Sequence, residues 1–153
     1  MSEPHRQCAS VLITDDENRI LFIRQSYGMK FYGFPGGIVD IGETPPVAAI
    51  RETLEEVQVG VELEYQLGAY LLTGGGWPDI FASVYKARIT QGTPKADPRE
   101  ISEVAWRRLD NLPKPLLPDT EAALQDFAEG KRGVVRTYQR TNAMPAWETD
   151  ATT

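Results

Sequence analysis

Glu52, Glu55 and Glu56 crowd the second half of one short segment that reads as a helix, residues 45–58, with Arg51 directly before them. Like charges one turn apart, as Glu52 and Glu56 would be, cost about 0.2–0.5 kcal/mol. Carboxylates in the last turns also oppose the helix dipole by roughly 0.3–1 kcal/mol each at low salt. Local conflicts of this kind tend to mark functional sites. The chemistry that resolves this one is chelation, because a hard cation such as Mg2+ takes carboxylate oxygens and keeps several waters. Arg51 would orient its carboxylate neighbours, and Gly36-Gly37 upstream would let backbone come close to an ion or ligand.

The elements that must position these residues follow from pattern. Thr44 suits the N-cap and Pro45 the first turn of the helix. At about 100° per residue, Val47, Ile50, Leu54 and Val57 form one stripe, expected to face the core, with the glutamates opposite. "CASVLITDDENRILFIRQ" reads as a hairpin of two β-prone runs around Asp15 to Arg19. An aromatic, Gly-bearing loop, Tyr27 to Phe34, leads into Pro35-Gly36-Gly37. Strands are expected over Val61 to Leu72, over Ile80 to Ile89 and in "EVAWRRL". A second helix, "DTEAALQDFAEG", is closed by Gly130. Strands mixed with two separated helices give one α/β (α+β) domain over residues 9–142. Residues 1–8 are expected to be a flexible N-terminus and 143–153 a flexible C-terminal tail.

Composition narrows the chemistry. The chain has 153 residues, 41% of them hydrophobic, which suffices for one domain with a real core. A formal net charge of -6 argues against a constitutive nucleic-acid binder but not against phosphate ligands held through a cation. Cys8 is the only cysteine and His5 the only histidine, so disulfides, thiolate zinc sites and His-based triads are set aside. No run approaches a membrane span, and "MSEPHRQ" has no signal-peptide h-region, so a cytoplasmic protein is expected.

The stretch from Gly37 to Val59 resembles the Nudix box, G-x5-E-x7-R-E-U-x-E-E-x-G-U with U aliphatic. Gly37, Glu43, Arg51, Glu52, Glu55, Glu56 and Val59 match it; Thr53 stands where an aliphatic residue is usual and Gln58 where the family has glycine. "FPGG" before the box and "EISEVAWRRLDNLP" after it extend the likeness from Ala9 to Pro113. The resemblance implies an α/β/α sandwich with a mixed β-sheet, and Mg2+- or Mn2+-dependent hydrolysis of a nucleoside diphosphate linked to another moiety. By position, Glu52 and Glu56 would be the principal metal ligands, with Glu55 and the Gly36 carbonyl assisting. Arg51 would fix the glutamates, while Gly37 and Glu43 shape the loop. Thr53 is expected to alter packing or to hydrogen-bond back along the helix. Gln58 would either adopt a left-handed conformation or end the helix differently.

The family supplies its general base variably. Candidates here are Glu100 and Glu103 in and after the loop "QGTPKADPREISE", with Glu52 as a further one. Arg24, Tyr32 and Trp77 are candidate substrate contacts, Trp77 as a stacking surface for a nucleobase. Lys131, Arg132, Arg136 and Arg140 form a basic patch that would attract a polyphosphate, support a homodimer or simply be solvated. The leading expectation is a small-molecule pyrophosphohydrolase. A non-catalytic nucleotide or nucleotide-sugar sensor is the alternative, although every box glutamate is present. An isoprenoid-diphosphate isomerase lacks its cysteine and histidines, and an RNA or cap pyrophosphohydrolase ranks lower because basic surface is scarce.

Overall fold

The computed structural model of the protein describes residues 6–140, so His5 and the expected tail at 143–153 lie outside the described residues. In chain order the elements are β1 (Arg6–Ile13), β2 (Ile20–Gln25), β3 (Tyr32–Gly33), β4 (Gly36–Ile38), α1 (Pro45–Val57), β5 (Gly60–Thr73), β6 (Ile80–Gln91), β7 (Ile101–Arg107), α2 (Pro118–Ala128) and β8 (Val134–Gln139). They build a five-stranded sheet in the order β4-β1-β6-β5-β8 and a three-stranded sheet in the order β3-β2-β7. The larger sheet is mixed, with β1 parallel to β6 and β8 parallel to β5. The smaller is antiparallel.

The larger sheet divides the core. On one face Ala9, Val11 and Ile13 of β1 pack with Ala48, Ala49 and Val57 of α1. On the other, Leu12, Ala82 and Val84 pack with Ala122, Ala123 and Leu124 of α2. A helix on each face explains why the middle of β1 is apolar without alternation. The expected α/β/α layering is therefore the observed one. Among the described residues no helix is long and apolar enough to cross a membrane.

Several local expectations are corrected. The flexible start is too long by three residues, because β1 begins at Arg6 and pairs with β6 from that residue on. The first two strands are not a hairpin. Asp15 does make the turn, accepting from the backbone N–H groups of Glu17 and Arg19 and from the Arg19 guanidinium. Beyond a single bridge between Thr14 and Ile20, however, the strands part into different sheets. Strand β1, buried on both faces, takes β4 and β6 as partners instead. Strand β8 arises from the basic stretch that carried no strand pattern, its residues alternating between half-buried and exposed beside β5.

The largest correction concerns α1. Val47 and Leu54 are each 55% exposed, and Ile50 is exposed as well. The buried face is Ala48, Ala49, Thr53, Glu56 and Val57. Bulk misled the reading: the face on the sheet is built from small residues, which bring the helix axis close to the strands. Thr53 is fully buried and its hydroxyl donates to the Ala49 carbonyl at 2.7 Å, bonding back along the helix as expected.

The helix ends at Gln58 in a left-handed conformation, φ 62° and ψ 33°, with its N–H bonded to the Leu54 carbonyl. A side chain there costs about 1–2 kcal/mol relative to glycine. Replacing Gln58 by glycine should therefore raise the unfolding free energy by about 1 kcal/mol, measured as a higher denaturant midpoint at constant slope. A lower midpoint would mean that the glutamine side chain holds this corner.

Candidate active site

The close approach of α1 to β4 assembles the site. Glu56 is only 9% exposed and its Oε1 accepts the Gly36 N–H at 2.7 Å. Burial pushes its carboxyl up to about 8, against the pull of that hydrogen bond, and the neighbouring charges of Glu52, Glu100 and Glu55 raise it further. Two glycines make this contact feasible. A Cβ on Gly36 would lie 2.3 Å from the Ala9 carbonyl oxygen, and one on Gly37 would lie 2.4 Å from Cδ of Glu52. Burial raises Glu52 too, with Arg51 pulling the other way.

Arg51 is the hub. Its Nε and Nη2 donate to the two oxygens of Glu43 at 2.7 and 2.8 Å, and Nη2 also reaches the Ile38 carbonyl. Nη1 donates to Glu52 at 3.0 Å and to Glu55 at 3.2 Å. Paired acids hold the guanidinium above its ordinary range, the Glu43 bond first among them, and the same bond lowers Glu43 to about 2. Glu43 thus anchors the arginine from the loop before α1, and the arginine turns two of the box glutamates.

A second segment completes the cluster. The loop between β6 and β7 docks on the C-terminal end of α1, where Lys95 N–H donates to the Val57 carbonyl and Asp97 N–H to the Glu56 carbonyl. Those donors satisfy helix carbonyls that would otherwise be orphaned and set positive dipole ends against an acidic helix terminus. The loop also brings Glu100 close enough for its charge to bear on Glu52 and Glu56. Glu55, Asp97, Arg99 and Glu100 line the resulting open cleft. Asp97 and Arg99 were missed from sequence, where nothing marks a docking loop except its position after the second long strand.

The remaining candidates separate. Glu103 lies on β7 opposite Arg24, its Oε1 accepting the Tyr32 hydroxyl at 2.6 Å and Arg24 Nη1 at 3.4 Å. The Arg24 guanidinium also sits over the Tyr32 ring, 4.9 Å from its centroid. These three form one group on the small sheet, distinct from the helix carboxylates. Trp77, in the β5–β6 connection, is held through its backbone: its carbonyl and that of Pro78 accept from buried Arg140.

The basic patch resolves into separate tasks. Arg140 clamps that connection, Arg136 pairs with buried Asp126, Arg132 lies over the Tyr65 ring and Lys131 pairs with Glu129. Cys8 is inert by environment, its thiol pushed up by burial and by the charge of Asp119.

The carboxylates do not converge. Among the described residues no three Asp, Glu, His or Cys side chains stand close enough to share a metal ion. The reason is visible in the bonds above, since Glu52 and Glu55 turn to Arg51 and Glu56 to Gly36. The donor set still fits a hard divalent cation: the groups are oxygen ligands, and Glu56 is a buried carboxylate whose single direct partner is a neutral amide.

The chain is similar to known proteins over most of its length. The family model for the NUDIX domain matches residues 4–127. A putative 8-oxo-dGTP diphosphatase of Bacillus subtilis (strain 168) is 28% identical over 142 residues, 93% of each chain. The NAD-capped RNA hydrolase NudC of Pectobacterium carotovorum is 30% identical over 118 residues, 75% of this chain but only 43% of that protein. Among solved structures, a MutT NUDIX hydrolase from Burkholderia pseudomallei superposes with a TM-score of 0.75 at 30% identity, covering 81% of this chain and 98% of that one.

Burial of Glu56 predicts a pH signature for the metal-free protein. Its carboxyl moves from the ordinary 4.5 to about 8, so within that window the folded state binds the proton more tightly than the unfolded chain. Unfolding free energy should then fall as pH rises from 4.5 to 8, by on the order of 2 kcal/mol or more. Thermal melts in chelator should show that decline, and Glu56→Gln should flatten it. Parallel curves for the two proteins would rule out the buried, unpaired carboxylate as its source.

Proposed function

Because the chain belongs to the NUDIX family, we propose that it is a divalent-metal-dependent hydrolase of the diphosphate linkage in a small nucleoside diphosphate derivative. The observation that carries the reading is the Arg51 network, which holds Glu52 and Glu55 on the same helix as buried Glu56, with Glu55 lining the cleft. Glu52 and Glu56 would hold Mg2+ or Mn2+, with Glu55 and the Gly36 carbonyl as further oxygen donors. When bound, such an ion offsets charge on phosphoryl oxygens and makes a coordinated water more acidic.

The chain's own residues do the rest. Arg51 keeps the carboxylates oriented as ligands while Glu43 fixes Arg51. Gly36 and Gly37, by carrying no side chain, leave room for the Ala9 carbonyl and the Glu52 carboxylate. Glu100 is the general base in this reading, since it lines the cleft and its charge bears on Glu52 and Glu56. Glu103 is assigned a positioning role, because its carboxylate is engaged by Tyr32 and Arg24. Arg24 and Tyr32 are then the substrate contacts that Glu103 orients.

The test is product release from ADP-ribose, nucleotide sugars, dinucleoside polyphosphates, normal and oxidised nucleoside triphosphates and NADH, with and without Mg2+ or Mn2+. Metal-dependent cleavage of at least one is expected. Glu56→Gln should lose it, Glu100→Gln should lower kcat about 100-fold or more, and Glu103→Gln should mainly change KM. Silence across the panel, with nucleotide binding still detected by thermal shift, would replace the hydrolase with a sensor. A large kcat loss in Glu103→Gln with none in Glu100→Gln would exchange the two roles.

A further inference from the structure

The cleft is a poor receptor for an anion at first sight. Glu55, Asp97 and Glu100 line it beside Arg99, and the charge of Glu100 bears on Glu52 and Glu56. Arg51 has no donor to spare: its three nitrogens are bonded to Glu43, Glu52, Glu55 and the Ile38 carbonyl.

Arg99 differs. Its side chain is 87% exposed, and Nε and Nη2 lie across the two oxygens of Asp97 at 3.2 and 2.9 Å. Nη1 has no protein partner among the described residues. Asp97 is itself well fixed: its side chain is mostly buried, its backbone N–H donates to Glu56, and its carboxylate also accepts the Arg99 N–H. The turn is closed by the N–H groups of Glu100 and Ile101 on the Asp97 carbonyl. Asp97 therefore serves as a fixed bracket that holds one edge of the guanidinium and leaves the other facing the cleft.

A planar fork with a free edge is suited to the non-bridging oxygens of a phosphate. Arg99 stands on the docking loop and is bonded to Asp97 rather than to a helix carboxylate, so the phosphate assigned to it is one beyond those held against the helix. From this arrangement the geometry points to Arg99 as a specificity residue for the distal phosphate of a substrate that carries more than two, a nucleoside triphosphate rather than a nucleotide sugar. This rests on the metal-dependent hydrolase reading of the same cleft. The neutral moiety of a nucleotide sugar offers the fork no charge, so Arg99 sets preference rather than rate.

Two measurements test it. Steady-state kinetics on UTP and UDP-glucose, which share a base, would compare the wild type with Arg99→Ala and Arg99→Lys. Arg99→Ala should raise KM for the triphosphate about tenfold, the loss of one charge-assisted contact, with kcat held and the nucleotide-sugar KM within about twofold. Arg99→Lys should restore part of the difference. Calorimetry with inorganic tripolyphosphate and Mg2+ gives a readout without turnover, and Arg99→Ala should weaken that binding by a similar factor.

Equal KM changes for both substrates, or none for either, would overturn the Arg99 assignment and leave the hydrolase intact. No turnover by the wild type, with Arg99-dependent tripolyphosphate binding, would overturn the hydrolase and leave the phosphate contact. Tripolyphosphate binding indifferent to Arg99 would overturn the proposal whatever the kinetics.

Discussion

The distance between α1 and β4 governs the site. Glu56 can accept from the Gly36 amide at 2.7 Å only because nothing bulky separates the helix from the strand. Alanine at 48 and 49, threonine at 53 and glycine at 37 serve that approach, while glycine at 36 lets β4 lie against β1. A Cβ at Gly37 would lie 2.4 Å from Cδ of Glu52 on the helix, and one at Gly36 would lie 2.3 Å from the Ala9 carbonyl oxygen on β1. Ordinary core packing would favour larger apolar groups here. The chain instead gives up apolar burial on this face of α1, leaving Val47, Ile50 and Leu54 to solvent, and gains a buried carboxylate beside backbone amides.

That carboxylate brings an electrostatic problem which the rest of the network addresses unequally. Arg51 relieves Glu43, Glu52 and Glu55 and is itself held by them. The docking loop relieves the helix end, giving backbone N–H groups to the carbonyls of Glu56 and Val57. Neither device reaches the Glu56 side chain. Its burial without a cation is costly by any accounting of desolvated charge, and the raised affinity for a proton expresses that cost.

Much of this was legible in the sequence because the motif residues act through short local distances. Gly37, Glu43 and Arg51 were singled out by the resemblance of the stretch to a family motif, and in the structure Arg51 bonds Glu43 while Gly37 packs on Glu52. Gln58 was open between a left-handed turn and a different helix end, and the structure takes the first. What escaped was decided by tertiary contact. The stripe of Val47, Ile50 and Leu54 has a regular helical period, and periodicity identifies a face without saying which face meets the sheet. Strands β1 and β2 carry hairpin turn chemistry at Asp15, yet burial of β1 on both faces overrides it. The bases from Lys131 to Arg140 looked like a patch because they are near in sequence. In space they face Glu129, Tyr65, Asp126 and the Thr73–Pro78 carbonyls in turn.

The unconverged carboxylates follow from the same unequal relief. Arg51 carries a permanent charge at the place where the box glutamates meet, and it draws Glu52 and Glu55 toward itself. A divalent cation must compete with that guanidinium for Glu52 and Glu55 but not for Glu56, whose one direct partner is the Gly36 amide. Glu56 is therefore the ligand with the most to gain from a cation, because bringing an opposite charge to a desolvated carboxylate removes a penalty that solvent cannot. Glu52 would be shared between Arg51 and the ion, which would hold its geometry while weakening its grip. A site built this way would bind metal through the buried residue and orient it through the arginine-held ones, which would put affinity and geometry in different side chains of a single helix.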